Sequence, residues 1–293
     1  MDNLPLQSRL LRFVNERENI RIRKASGRPG PWTTDPVLAK YRFCNIRRRD
    51  DRVSQWLLRN YYPRCNPLKD IWLAAAVARV INWPPTLDAF AEADLTFDDA
   101  DSFDAEGFKH VISLLKADGE KVYTGAYMIY PGKPDEALKN KEEFIASKVI
   151  GGLLANRESI RQAILSNSVE NTVEALSSSF GTQTFMAGQI AADLTYIPGQ
   201  LQHARDLYTY APRGPGSQRG LNRLYGLPLG HTWTSKNFCE ALIEINRLIA
   251  DQLGYDDLTL HDVQNVMCEA DKLFRVINGE GKPRSQYRPE KAY

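Results

Sequence analysis

Apolar side chains return at intervals of three and four through nearly all of this 293-residue chain, and that period admits a helical protein and little else. The pattern predicts helices over 6–20, 51–61, 67–81, 105–117, 135–165, 169–180 and 185–194, with another from Leu260 to Arg275. Side chains that start helices stand in register with it. Asp35-Pro36, Asn66-Pro67, Thr234-Ser235 and Thr259-Leu260 each offer a cap, and Gly119, Gly254 and Gly279 offer stops. Only 121–130, with Val122, Tyr123, Tyr127, Ile129 and Tyr130, reads as extended. The expected fold class is all-α (mostly α) with at most a minor extended segment.

With 43% hydrophobic and 25% charged residues the chain can bury a real core, as one large domain or two of moderate size. The expectation is a single helical unit over 1–293 with at most two lobes, a basic 1–130 and a 131–293 lobe. The apolar run 71–81 is far short of the ~20 residues a bilayer demands and is broken by Arg79. No membrane partner and no secretory signal are expected, which points to the cytoplasm. Cys44, Cys65, Cys239 and Cys268 form no C-x-x-C pair, and His110, His203, His231 and His261 form no zinc-type spacing. No metal site is expected from these residues; a metal, if one is needed, would be bound by carboxylates, and a divalent cation could accompany a phosphate ligand.

Net charge is only +2, but it is unevenly spread. The first 65 residues hold thirteen Arg and two Lys against six acids. Arginine forks pair with phosphate and stack on bases, so a phosphate-binding face is expected there. The alternative is a surface paired with the acids between Asp88 and Glu106.

Three motifs could carry chemistry. The stretch from Ala211 to Asn222 reads as a hairpin between two helices. There Gly214 and Gly216 would expose backbone N–H groups to a phosphate beside Arg213, Ser217, Gln218 and Arg219. It is neither a Walker A loop nor a dinucleotide fingerprint, and an ordinary glycine turn is the alternative. From Tyr41 to Val53, arginines alternate with aromatics and an amide, Asn45, a mixture suited to DNA. On the C-terminal helix Glu269 and Lys272, three apart, share a face, as do Asp271 and Arg275 at four, which intrahelical ion pairing would also explain.

Taken together, P-W-T-x-D-P from Pro31, Y-R-F-x-N-x-x-R-x-x-D-R-V from Tyr41, T-G-A-Y from Thr124, A-D-L-x-Y from Ala192, G-P-G-x-x-R-G-L-N from Gly214 and C-E-x-D-K from Cys268 resemble one family. It is the α-glutamyl/putrescinyl thymine pyrophosphorylase family of phages, amino acid:DNA transferases. The resemblance extends to the helical domain of 5-hydroxymethyluracil DNA kinases. It implies an architecture like that of helix-hairpin-helix DNA glycosylases and an enzyme acting on double-stranded DNA that carries modified thymine. In such systems 5-hydroxymethyluracil is pyrophosphorylated, and an amine, here expected to be that of glycine, displaces pyrophosphate.

Under that resemblance Asp193 or Glu269 is the general base or holds the amino group, with Asp271 and Lys272 beside it. Arg48, Arg52, Asn45, Tyr127 and Arg219 bind substrate or pyrophosphate. Arg47, Arg213, Gly214, Gly216, Ser217 and Gln218 grip DNA, and the target nucleotide is flipped out of the stack. Because the chain lacks G-x-x-x-x-G-K-[ST], a separate DNA kinase is expected upstream. The competing readings are a DNA glycosylase or hydrolase, which the lack of an aspartate between His231 and Glu240 opposes, and a non-catalytic DNA-binding module.

Overall fold

The computed structural model describes residues 5–66, 69–124, 141–283 and 286–287. Among them every regular element is helical, and the sole extended pairing is an isolated bridge between Tyr41 and Gln286. In chain order come α1 (Leu6–Ala25), α2 (Pro36–Lys40), α3 (Arg52–Trp56), α4 (Ile71–Ile81), α5 (Pro84–Glu92), α6 (Ala105–Ala117) and α7 (Lys141–Phe144). They are followed by α8 (Gly151–Ala155), α9 (Arg157–Leu165), α10 (Val169–Ser177), α11 (Thr184–Leu194), α12 (Pro215–Leu224), α13 (Ser235–Leu253) and α14 (Leu260–Ile277). None of the described helices is long and apolar enough to cross a membrane.

Three of the four expected caps act through identifiable bonds, while α4 begins only at Ile71, beyond Asn66-Pro67, and residue 67 lies outside the described residues. Asp35 accepts from the N–H groups of Val37 and Leu38 at 2.9 and 3.0 Å, and Thr234 accepts from Asn237 at 3.1 Å. Thr259 and Asp262 cap α14 reciprocally, each side chain taking the other's backbone N–H. Gly254, at φ +71°, closes α13 in the left-handed region that a side chain would strain. Two helical stretches widen into π geometry, at Leu57–Tyr61 and Ile145–Ile150. Of the segment expected to be extended, 121–124 is irregular and the rest lies outside the described residues.

The chain divides into two compact units, and not at 130/131. The first joins 1–51 to 207–292, and the second is 52–206. The reason is the apolar face of α1. Leu10, Phe13 and Val14 find their partners in α13 and α14, near the other end of the sequence, in a core with Phe238, Leu242 and Met267. Each fully buried Leu or Phe of this kind contributes about 1.5–3 kcal/mol, far more than the connectivity of neighbouring segments can.

In the second unit α4 is buried on all sides and packs on α11, whose residues Met186 to Leu194 are buried as well. A helix apolar all round belongs in a core, so the charges it carries must be paired there. Arg79 of α4 and Asp193 of α11 form that pair, with side chains 4% and 1% exposed. Arg79 Nε donates to Asp193 Oδ2 at 2.7 Å and Arg79 Nη2 to Oδ1. The Tyr62 hydroxyl donates to the same carboxylate at 2.6 Å, and Ser54 accepts from the guanidinium at 3.0 Å. Burial first, then the Asp193 charge, pushes the Tyr62 phenol well above its ordinary value, so it stays a protonated donor.

Candidate functional site

Between Leu260 and Arg275 of α14 four residues escape full burial: Asn265, Cys268, Lys272 and Arg275. Their spacing of three, four and three lines them along one face of the helix. Two segments of the first unit flank that stripe, the loop 42–51 on one side and α12 on the other.

The loop is fixed to α14 through its backbone. Cys44 N–H donates to Glu269 Oε2 at 3.0 Å, Arg48 N–H donates to Asp262 Oδ1 at 2.8 Å, and Asn265 Nδ2 donates to the Asn45 carbonyl at 3.3 Å. Arg17 of α1 braces it from behind, donating to the carbonyls of Cys44 and Phe43 and to Asn45 Oδ1 at 2.5 Å. Arg48 closes on Asp51 at 2.6 Å, and Asp51 also accepts from Asn45 N–H at 2.8 Å. The arginine, amide and aspartate of the Tyr41–Val53 motif therefore shape this loop as well as lining it.

At the stripe Lys272 Nζ donates to both oxygens of Glu269, at 2.8 and 2.6 Å, and to the Arg42 carbonyl at 3.3 Å. Burial pulls the Lys272 ammonium down, but Glu269 outweighs it and leaves the group above its ordinary value. Lys272 is thus a fixed cation. The two nearby thiols are uncharged. Burial, then Asp51 and Glu269, drives the Cys44 thiol far up, and burial, then Glu269, raises Cys268 to about 11. Burial also pushes the Asp262 carboxyl up, against the Arg48 N–H and the Thr259 hydroxyl that hold its charged form.

On the other flank the structure corrects the expected hairpin. Residues from Pro215 onward are the helix α12, begun by proline at its first position, so Gly216, Ser217 and Gln218 lie in a helical turn rather than a phosphate-cradling bend. Its glycines serve close packing. A Cβ at Gly220 would collide with the Met267 carbonyl of α14, one at Gly216 with Cys268 Sγ, and one at Gly214 would come within 2.9 Å of Gln264. The Ser217 hydroxyl is fully engaged with the Gly214 backbone and Gln264 Nε2. Gln218 and Asn222 pin the following segment instead: Gln218 Oε1 accepts from Trp233 N–H, and Asn222 bonds the carbonyls of Leu229 and His231 and the Trp233 indole.

Asp271, 1% exposed, sits under this face and accepts from Arg219 Nε and Arg223 Nε, both at 3.0 Å, with Arg275 Nε 3.6 Å away. Both oxygens are occupied by guanidinium groups, so in this structure Asp271 holds arginines. Asp193 is likewise enclosed by Arg79 and Tyr62 in the second unit, which leaves it no open face for an amine.

The remaining site residues divide as follows. The first unit brings together Asn45, Arg48, Glu269, Lys272, Asp271 and Arg219. Arg47 forks onto Asp257 at 2.7 and 2.5 Å and reaches Glu18 at 3.2 Å. Arg213 is exposed and donates to the Trp233 carbonyl. Arg52 opens α3 in the second unit, exposed, and Tyr127 lies outside the described residues. As for the basic block as a whole, Arg64 pairs with Asp88 at 3.0 Å, whereas Arg21, Arg23, Arg47 and Arg48 find acids elsewhere.

Sequence reasoning missed Arg17 and Arg223 as members of this face and gave Arg275 only as an intrahelical ion-pair partner of Asp271. The signal for two of them was present: 219 and 223 are four apart, as are 271 and 275, and the first spacing has meaning once 215–224 is a helix. Among the described residues no group of three or more His, Cys, Asp or Glu side chains converges as a metal ion requires.

A family model described as the helical domain of 5-hmdU DNA kinase matches residues 5–282. A 5-hmdU DNA kinase of Bacillus phage SP10 is 28% identical over 228 residues, 73% of this chain and 35% of that relative. The chain thus spans about a third of the length of the curated relative it matches. No solved structure matches.

Proposed function

Because the chain belongs to the family of the 5-hmdU DNA kinase helical domain, we propose that it works on 5-hydroxymethyluracil in phage DNA, as the transferase that replaces pyrophosphate on the base with the amine of an amino acid. Double-stranded DNA carrying the activated base and a small amino acid, glycine first, are its substrates. A DNA kinase of the same pathway would supply the activated base, in line with the kinase relative that the chain matches.

The observation that carries this reading is the meeting of two distant motifs on one face of α14, where Glu269 lies against the Lys272 cation and under the loop that carries Arg48. The reaction requires such a set. The amine nitrogen bonds to the methylene carbon on C5 while the bond from that carbon to the pyrophosphate oxygen breaks, and the oxygen departs with the electron pair. The nitrogen must shed a proton to a carboxylate, and the departing charge must be met by fixed cations. Lys272, which bonds both oxygens of the buried Glu269, lies on the accessible stripe, whereas the partners of Asp193 are themselves buried and both Asp271 oxygens are taken by guanidinium groups. Lys272 is held charged, as a group facing an anion must be.

The test supplies the purified chain with DNA containing pyrophosphorylated 5-hydroxymethyluracil and, separately, glycine, glutamate and putrescine. Mass spectrometry of the digested DNA is expected to show an aminoacyl-thymine nucleoside with pyrophosphate released in equal amount. No new nucleoside with any amine, or an abasic site in its place, overturns the reading.

A further inference from the structure

Three guanidinium groups converge on Asp271, and two of them are incompletely used. Arg223 is saturated: its Nε meets Asp271 Oδ1, and its terminal nitrogens fork onto Glu280 at 3.0 and 2.5 Å. Arg219 bonds through Nε alone, at 3.0 Å to Asp271 Oδ2, and its terminal nitrogens have no partner among the described residues. Arg275 approaches the same oxygen at 3.6 Å, and its Nε is buried without a hydrogen bond. Both side chains are 37% exposed.

Sharing one carboxylate oxygen places these two like charges side by side, an arrangement that repels unless an anion lies across them. Three arginines against Asp271 and Glu280 leave one positive charge over. The surplus is pre-organised. Asp271 is anchored in α14, Arg219 and Arg223 are one turn apart on α12, and the glycine contact at Gly220 locks the two helices together. An unfilled guanidinium fork donates to two oxygens of a phosphate or a carboxylate. Two adjacent forks exceed what one carboxylate can fill and suit a ligand with oxygens on two linked centres.

We propose that Arg219 and Arg275, held by Asp271, form a binding site for a diphosphate group, which on the reading of the preceding section is the pyrophosphate that leaves. Arg275 belongs to the same accessible stripe of α14 as Lys272, so the site continues the face on which Glu269 lies. In this arrangement Asp271 touches no ligand. It fixes the direction in which the forks point.

The probe is inorganic pyrophosphate, titrated calorimetrically into the full chain at fixed ionic strength, with acetate and unmodified duplex DNA as parallel ligands. The wild-type protein is expected to bind pyrophosphate and to ignore acetate. Arg219→Gln and Arg275→Gln should each weaken binding about tenfold, as expected for charge-assisted hydrogen bonds, and the double variant should abolish it. Arg219→Lys keeps the charge without the fork and should still lose affinity. Melting curves of each variant check that the helices remain. Pyrophosphate binding unchanged in the folded double variant overturns the site, as does wild-type protein that binds no pyrophosphate, or a double variant that loses only its affinity for unmodified duplex. The measurement is independent of catalysis. A chain that binds pyrophosphate through these arginines but transfers no amine keeps the site and loses the transferase reading, and transfer with no contribution from Arg219 and Arg275 does the reverse.

Discussion

Two aspartates, one in each compact unit, are equally buried and both are bound by arginine, yet the arginines they hold differ. Asp193 meets a guanidinium that is itself 4% exposed, between two helices apolar on nearly every side, and the pair neutralises itself inside the core. Asp271 is 1% exposed too, but Arg219 and Arg275 are 37% exposed, so their far ends reach water. A carboxylate that holds both ends of an arginine braces a fold. One that holds only the near end presents a directed cation. The Arg–Asp pairing is the same, and the depth of the arginine decides its use.

The largest effect should separate the two regions by activity. Glu269→Gln is expected to lower amine transfer about 10²–10⁴-fold, the usual worth of a positioned acid or base, while the melting temperature moves by a few degrees. Rates within twofold of wild type would remove Glu269 from the chemistry. Next comes stability. Asp193→Ala leaves a buried unpaired guanidinium and should cost about 3–5 kcal/mol in urea unfolding, with most of that recovered in the double variant Arg79→Met, Asp193→Leu. A cost under about 1 kcal/mol for the single change would break the contrast with Asp271. Gly220→Ala forces α12 off the Met267 carbonyl and should cost about 1–3 kcal/mol, weakening pyrophosphate binding in parallel because Arg219 rides on that helix. Smallest is a pH effect at the edge of the arginine cluster. Arg223, then Asn278, depresses the Glu280 carboxyl from 4.5 to about 2. Its stabilisation is therefore complete above the unfolded value and fades as pH falls from about 4.5 towards 2. Melting temperatures of wild type and Glu280→Gln should differ above pH 5 and converge by pH 2, and a constant gap would refute the assignment.

Much of the fold was legible because helical period and caps are local. Asp35, Thr234 and Thr259 cap the helices the sequence marks, and 105–117 is α6 to the residue. The Ala211–Asn222 motif misled for a physical reason. Glycine spacing that permits a tight bend is the same spacing that permits two helices to touch backbone to backbone, and only the partner, Met267, distinguishes them. The site was half legible. Glu269 and Lys272 pair as their spacing indicates, and the 42–51 part of the Tyr41–Val53 motif lies against them. Arg47 and Asp193 looked equally chemical but are consumed by Asp257 and Arg79, partners 210 and 114 residues away.

The order of amino acids by itself determined that this protein is helical, where most of its helices begin, and which charged groups stand one turn apart, because each depends on interactions within about five residues. Which arginines face water, that 1–51 joins 207–292, and which of three acidic side chains adjoins an accessible face were decided only by tertiary packing. Burial is a property of what arrives from elsewhere in the chain, and an ion pair becomes a brace or a presented charge only when that surrounding is complete.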